Sequence, residues 1–233
     1  MSVSGGDSGF GTLNERTLHS AVKAYIEPDR AFREVAFGGF IADILRDGAI
    51  TEVQTGSVTP LVKKLLRLPP EVPVTIALPI VREKTICMID ENGELISRRR
   101  SPKKSSFAES FYQLPRLLPL AGRDQLWLRL ILLDADEYRN TLPVQRIGRR
   151  DCRRIDRIPT RIVEDRTLAF PGELAGLLPR LPPVFTREEL KRATRLSDRG
   201  MSGGLSALIK LGVVEQAGKD GRKNLYRIVD RRE

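Results

Sequence analysis

The sequence predicts an α/β fold with a mixed sheet, and three observations support it. Short apolar segments alternate with amphipathic ones through the first 140 residues. The turn signals Gly38-Gly39 and Arg46-Asp47-Gly48 separate three short strands, as in an antiparallel meander. A helix then begins near Thr59-Pro60 and leads to another apolar strand, as in a crossover connection.

Composition excludes several classes of protein. The chain has 233 residues, 40% of them hydrophobic and 30% charged, which is typical of one or two folded domains. There is no apolar run of about 20 residues, so we expect no membrane-spanning helix. Residues 1–12 lack the features of a signal peptide and are predicted to form a flexible tail. The two cysteines, Cys87 and Cys152, suggest neither a zinc cluster nor a disulfide scaffold, so we expect a cytoplasmic location.

Hydrophobic spacing and turn residues predict the elements of the first 140 residues. Leu18, Val22 and Ile26 recur at helical spacing in the opening segment. In chain order the predicted elements are a helix over 13–26, strands over 32–36, 40–45 and 49–54, a helix over 60–68 capped by Thr59, strands over 72–79 and 84–89, a helical segment over 107–118, and a strand over 126–133.

The C-terminal region has the element order of a winged helix. Thr186 and Glu189 have the spacing of a capping box at the start of a helix over 187–194. A second helix over about 199–211 precedes a two-stranded hairpin. The adjacent Gly203 and Gly204 predict close backbone packing or a loosened first turn rather than a base-reading face. We therefore divide the chain into a tail over 1–12, an α/β domain over 13–140, an arginine-rich connector over 141–170 with some strand content, and a winged-helix domain over 171–233.

The charge is unevenly distributed. The net charge is +10, yet residues 1–90 contain 10 Lys or Arg against 11 Asp or Glu, so the whole excess lies after residue 90. This asymmetry favours a polyanionic partner, nucleic acid and most simply DNA, over a uniformly basic surface. The segment RRRSPKK over 98–104 and the tip of the C-terminal hairpin are the main phosphate-binding candidates. The residues we assign to nucleic-acid binding are Lys63, Lys64, Arg98, Arg99, Arg100, Lys103, Lys104, Arg199, Lys219, Arg222 and Lys223.

Three polar residues in the meander are the candidate site. Asp43 interrupts the apolar strand FIADIL, and Glu52 and Gln54 share one face of the next strand, AITEVQ. Carboxylates at the ends of adjacent strands can hold one Mg²⁺ or Mn²⁺, which can activate water for attack on a phosphodiester. Glu15 on the opening helix is an auxiliary acid. The alternative is that these acids are ordinary solvated residues. For His19 on the opening helix we expect a surface or capping role rather than assistance in proton transfer.

These motifs resemble the restriction-endonuclease-like superfamily, the PD-(D/E)XK nucleases. The run IADILRDGAITEVQTGSVTPLVKKL is similar to a branch in which the third strand contains Glu-x-Gln. The phrases LNERTLH, PIVREK and RRRSPKK resemble a poorly characterised bacterial family that joins such a core to a C-terminal winged helix. The resemblance implies a restriction-endonuclease-like mixed sheet flanked by helices, with Asp43 and Glu52 as metal ligands and Gln54 in place of the usual catalytic lysine.

That substitution leaves the activity open, because glutamine supplies no positive charge. A displaced lysine, Lys63, Lys64 or Lys84, could replace it in a metal-dependent DNA nuclease. The chain could instead be a non-catalytic nucleic-acid-binding adaptor, or a transcription regulator that works through its winged helix. The oligomeric state is also open, with a homodimer as one option.

Overall fold

The computed structural model describes residues 16–141 and 152–229. The predicted tail over 1–12 and the candidate acid Glu15 lie outside these residues. Within the two ranges, no helix has both the length and the hydropathy that crossing a membrane requires.

The first strands form the antiparallel meander that the turn signals predict. Gly38 and Gly39 have φ values of 55° and 83°, and Asp47 and Gly48 have φ values of 50° and 76°. Positive φ at both central residues is the geometry of tight hairpins whose twist matches that of the strands. The opening elements are helix α1 (Arg16–Ile26) and strands β1 (Arg33–Phe37), β2 (Phe40–Arg46) and β3 (Ala49–Val53).

A crossover helix connects the meander to the rest of the sheet. Helix α2 (Thr59–Leu65) has Pro60 in its first turn, and Thr59 is its first residue rather than the cap that the sequence predicts. Strand β4 (Val74–Ile89) pairs in parallel with β3, and β6 (Leu126–Thr141) pairs in parallel with β4. The sheet order is β1-β2-β3-β4-β6-β7, where β7 is Cys152–Ala169, and the arginine-rich β5 (Leu95–Arg100) pairs with the second half of β4.

Long strands replace shorter predicted elements. The two strands predicted over 72–79 and 84–89 are one strand, β4, whose pairing with β6 shifts register between Val81 and Lys84. Most of the predicted connector is strand β7 (Cys152–Ala169), which pairs with β6 along its whole length. The helical segment predicted over 107–118 consists of 3₁₀ turns at Phe107–Tyr112 and Leu118–Leu120 around the short helix α3 (Leu114–Leu117).

Helices cover both faces of the large sheet. Leu18 and Val22 of α1 pack in one apolar cluster with Val53 of β3, whereas α2 packs in a second cluster with Ile50 of the same strand. Residues of odd and even number on a strand point to opposite faces, so α1 and α2 lie on opposite sides of the sheet. The architecture is therefore α/β with a mixed sheet flanked by helices, as the sequence predicts.

The C-terminal region has the predicted element order. Thr186 and Glu189 form the capping box in both directions. The elements are β8 (Phe185–Thr186), α4 (Arg187–Thr194), α5 (Asp198–Lys210), β9 (Val214–Asp220) and β10 (Lys223–Ile228), with the three strands in the order β8-β10-β9.

Two glycines of α5 allow this helix to pack closely against the segment over 107–112. A Cβ on Gly200 would overlap the ring of Tyr112, and one on Gly204 would lie 2.8 Å from Cβ of Phe111. Helix α5 therefore approaches the segment over 107–112 at a distance that only glycine permits. Of the two explanations for the glycine pair, close backbone packing is the one that the geometry supports.

Candidate active site

Asp43 receives hydrogen bonds from two elements. Its carboxylate is 3.1 Å from Nε2 of His19 on α1 and accepts a 2.9 Å hydrogen bond from the backbone amide of Val53 on β3. Nζ of Lys23 lies 3.5 Å from the other carboxylate oxygen. Burial acts to raise the pKa of Asp43, but the hydrogen bonds from His19 and Val53 outweigh it and the net shift is downward. His19 is thus a partner of Asp43 rather than the surface residue that the sequence predicts.

Glu52 is more deeply buried and has one cationic partner. Its side chain is 9% exposed, and Nζ of Lys64 on α2 donates a 2.7 Å hydrogen bond to its carboxylate. The same ammonium donates to the carbonyl of Ile41 at 2.7 Å and lies 4.3 Å from the ring centre of Phe40. Burial raises the pKa of Glu52, and Lys64 offsets only part of that rise. Glu52 therefore remains short of positive charge.

The two carboxylates are neighbours with separate partners. The charge of Asp43 contributes to the raised pKa of Glu52, and the backbone amide of Asp43 lowers it in part. Two carboxylates are the ligands that Mg²⁺ takes from proteins, with waters or substrate oxygens completing the shell. Across the described residues, no group of three or more His, Cys, Asp or Glu side chains is arranged to hold a metal ion. Asp43 and Glu52 are oxygen ligands of the type that Mg²⁺ takes, and their side chains have partners on opposite faces of the sheet, His19 and Lys23 of α1 for Asp43 and Lys64 of α2 for Glu52.

Gln54 links the carboxylates to a cleft. Its amide group donates a 2.9 Å hydrogen bond to the carbonyl of Ser57, which fixes the side chain at the end of β3. A cleft of about 340 Å³ opens beside it, lined by three cations, Lys84, Lys103 and Arg157, and by one acid, Glu109. Neither Asp43 nor Glu52 is among the described residues that line the cleft, so Gln54 is the member of the predicted site that reaches it.

A second charge cluster, which the sequence did not predict, underlies the cleft. Glu137 on β6 is 1% exposed, yet its carboxylate accepts hydrogen bonds from Lys84, Arg139 and Arg157. Burial acts to raise the pKa of Glu137, but these three cations lower it to about 2. The sequence does contain a signal for this cluster. The acidic run DADE of β6 could pair with the arginines of β7, because opposite charges on facing strands stabilise strand pairing.

The basic segment over 98–104 is partly neutralised. Arg98 pairs with Asp136 at 2.9 Å, Lys103 with Glu109 at 2.7 Å, and Lys104 with Glu83 at 3.1 Å. Arg99 and Arg100 are exposed on β5. The segment is therefore the end of a sheet strand and the turn after it, and Lys103 is the residue that brings it to the cleft.

The remaining predicted nucleic-acid residues lie on exposed surfaces. Lys63 is exposed on α2, next to the half-buried Lys64. Arg199 is exposed in the first turn of α5, and the tip of the β9–β10 hairpin exposes Lys219, Arg222 and Lys223. Of these predicted cations, Lys64 is the one that contacts a candidate metal ligand. The structure therefore brings Glu52 and Lys64 together, places Asp43 against His19 and Lys23 of α1, and places the hairpin cations on a separate element.

Comparison with known proteins places the chain in a family. An uncharacterised protein of Treponema pallidum (strain Nichols) is 31% identical over 219 residues, which cover 93% of this chain and 86% of that protein. No solved structure matches the chain. A family model described as a domain of unknown function, DUF8091, matches residues 16–169, a range that runs from α1 to the end of β7 and includes Asp43, Glu52, Gln54 and Lys84. The chain therefore belongs to the DUF8091 family.

Proposed function

We propose that the protein is a nuclease of the restriction-endonuclease-like kind that hydrolyses phosphodiester bonds in DNA with the help of Mg²⁺ or Mn²⁺. The observation that carries the proposal is the position of the half-buried Asp43 and the buried Glu52 on adjacent strands, where the residue after the second strand, Gln54, borders a cationic cleft. Raised or lowered carboxyl pKa values beside a cleft are typical of functional sites.

The order of elements supports this fold assignment. A helix, a three-stranded antiparallel meander, a crossover helix and a strand parallel to the third follow one another. That is the order the resemblance implies for a restriction-endonuclease-like core. The order of α4, α5 and the β9–β10 hairpin likewise agrees with a winged helix. A cytoplasmic location stays a prediction from the cysteine content.

Asp43 and Glu52 would hold the metal ion. When bound, Mg²⁺ supplies a Lewis acid that stabilises the negative charge of a phosphate under attack. In the reaction, a water oxygen forms a bond to phosphorus, the bond from phosphorus to the leaving sugar oxygen breaks, and a proton reaches that oxygen. The raised pKa of Glu52 favours the binding of an added cation, because a cation relieves the cost of burying an ionised carboxylate.

Lys64 is the best candidate for the missing strand lysine. Of the three alternatives, Lys63 is exposed and Lys84 is bonded to Glu137, whereas Nζ of Lys64 lies 2.7 Å from Glu52. In this position its ammonium can balance the charge that develops on the phosphate. Gln54 would orient the phosphate or the attacking water at the border of the cleft.

A non-catalytic adaptor is the second candidate, and one observation favours it. His19 and Lys23 contact Asp43, and Lys64 contacts Glu52, so each carboxylate already has a basic partner. A chain of this kind would bind DNA in a salt-sensitive way, and Asp43→Ala would leave that binding unchanged. Cleavage assays separate the two candidates.

The decisive experiment is a cleavage assay on the full chain. Labelled single-stranded, duplex and branched DNA are incubated with Mg²⁺, Mn²⁺ or EDTA. We expect the wild type to cut at least one form with a metal, and Glu52→Gln and Lys64→Met each to lower the rate by about 100-fold or more, since each removes a group that stabilises transition-state charge.

Lys63→Met provides the matched control. It removes the same charge from the neighbouring position of α2, where the side chain is exposed, so we expect the rate to fall by at most about threefold. Thermal unfolding of each variant shows whether it is folded. If the wild type cuts none of the DNA forms with either metal, or if Glu52→Gln cuts as fast as the wild type, the nuclease proposal is wrong.

A further inference from the structure

The cleft beside Gln54 forms where the edge of β4 is left open. Strand β3 pairs with β4 only as far as Val53 and Ala77, and β5 pairs with it only from Thr85 onward. Among the described strands, none pairs with this side of β4 between these two points. After β3 the backbone amide of Gln54 donates to the carbonyl of Ala77 at 2.8 Å, and after β5 the backbone amide of Ser105 donates to the carbonyl of Arg82 at 2.8 Å, which bounds the open stretch of β4 at both ends. A ligand can therefore lie against a sheet edge rather than in a surface groove.

The floor of this cleft has more positive charge than its partners neutralise. Glu137 is the one carboxylate shared by Lys84, Arg139 and Arg157, and its pKa of about 2 keeps it ionised near neutral pH. Lys84, Lys103 and Arg157 line the cleft, Glu109 pairs with Lys103, and Glu137 offsets one of the other two charges, so one elementary positive charge remains in excess. Arg157 donates to Glu137 through Nε, and its side chain is 24% exposed towards the cleft that it lines. A fixed cation pair at the base of a cleft is a site for a phosphate.

The dimensions of the cleft limit the ligand. About 340 Å³ is near the lower end of small-molecule sites, which span roughly 300–1,000 Å³. One nucleotide fits within such a volume, whereas a double helix does not. Tyr112, held by a 2.8 Å hydrogen bond between its hydroxyl and Ser197, and Pro79 of β4 provide flat apolar surface for a sugar or base.

We infer that this cleft binds one phosphate of an unpaired DNA strand together with the nucleotide attached to it, through Arg157, Lys84 and Lys103. The inference rests on the proposed function and specifies its substrate as single-stranded at the site. Lys84 and Arg157 are held in place by Glu137, so they form a preorganised phosphate site. Gln54 then lies between the bound phosphate and the carboxylates.

Arg157→Gln tests this assignment, with Arg161→Gln as its matched control on the same strand. Arg161 is 63% exposed and pairs with Asp134, does not line the cleft, and leaves Asp134 paired with Arg82 when it is removed. Binding of a labelled thymidine homopolymer is measured by fluorescence anisotropy in EDTA across a salt series. We expect Arg157→Gln to weaken binding about tenfold. The slope of log affinity against log salt should become shallower by about 0.7, the value for one phosphate of a single strand.

Lys103→Gln gives a second variant with little risk to folding, because the side chain is 64% exposed. We expect it to weaken binding by about threefold and Arg161→Gln by less than about twofold. The wild type should bind the single strand more tightly than a duplex of matched sequence. Equal effects of Arg157→Gln and Arg161→Gln, or equal affinity for single strand and duplex, would overturn the inference.

The metal-free binding assay keeps this inference separate from the nuclease proposal. If Arg157→Gln binds the single strand more weakly and the wild type cuts no DNA, the nuclease proposal is wrong and the assignment of the cleft as a single-strand binding site is supported. If the wild type cuts DNA with a metal and Arg157→Gln cuts equally fast, the nuclease proposal is supported and the cleft is not the binding site of the substrate strand.

Discussion

The molecule has two clusters of buried charge with opposite balances. At Glu137, one carboxylate accepts hydrogen bonds from three cations and its pKa falls to about 2. At Asp43 and Glu52, the charge of one carboxylate raises the pKa of the other, and the pKa of Glu52 is raised although Lys64 is 2.7 Å away. The first cluster has surplus positive charge and the second has too little, so they suit different ligands.

This difference assigns different roles to residues of the same type. A carboxylate surrounded by cations is a structural support that fixes basic side chains for an anion. A carboxylate whose charge is poorly compensated gains from an additional cation. Gln54, the residue after Val53 of β3, and Lys84, a partner of Glu137, line the same cleft, so the proposed cation site and the proposed anion site both border it. That juxtaposition is what metal-assisted cleavage of a phosphodiester needs.

Glu137→Gln should have the largest effect on stability. The substitution leaves Lys84, Arg139 and Arg157 together without their shared carboxylate, and uncompensated buried charge of this kind costs about 3–5 kcal/mol. The measurement is the free energy of unfolding in urea near neutral pH. Glu164→Gln, at an exposed ion pair with Arg166, is the control and should change it by less than about 0.5 kcal/mol. A decrease below about 1 kcal/mol for Glu137→Gln would remove the contrast between the two clusters.

Lowering the pH should abolish the contribution of Glu137 to the free energy of unfolding. The pKa of Glu137 is about 2 in the folded chain against 4.5 for a free side chain, so the unfolded chain binds more protons between these values. Stability from Glu137 is present above about pH 4.5, and about 3 kcal/mol is lost as pH falls towards 2. The unfolding free energies of wild type and Glu137→Gln, measured against pH, should converge in that window. Curves that stay parallel through it would contradict this account.

Glu52→Gln should have the smallest effect. Removal of a carboxylate whose pKa is raised by burial relieves a desolvation cost, and Lys64 keeps its hydrogen bond to Ile41. We expect the free energy of unfolding to change by less than about 1 kcal/mol in either direction. A decrease comparable with that of Glu137→Gln would mean that Glu52 is mainly structural, which would weaken its assignment as a ligand.

Local signals predicted the part of the fold that contains the carboxylates. The positive-φ turns at Gly38-Gly39 and Asp47-Gly48, and the capping box at Thr186, depend on residues near one another in sequence, and the structure confirms them. The position of Asp43 beside Val53 follows from the tight turn between their strands. These features were accessible because short-range backbone geometry determines them.

Features that depend on contacts between residues far apart in the sequence could not be predicted in this way. Strands β6 and β7 extend through charged stretches, and Glu137 is buried only because Lys84 and Arg157 reach it from two other strands. In sequence, such residues are typical of solvated loops. His19 and Lys64 likewise reach the candidate site from helices on opposite faces of the sheet, which the spacing along the chain does not reveal.

The most direct test of the central claim is calorimetric titration of the full chain with Mg²⁺ and Mn²⁺. We predict one binding event for the wild type and for Glu164→Gln, and no binding for Asp43→Asn or Glu52→Gln in folded protein. If the wild type binds neither metal, or if Glu52→Gln binds it as tightly as the wild type, Asp43 and Glu52 are not a metal site.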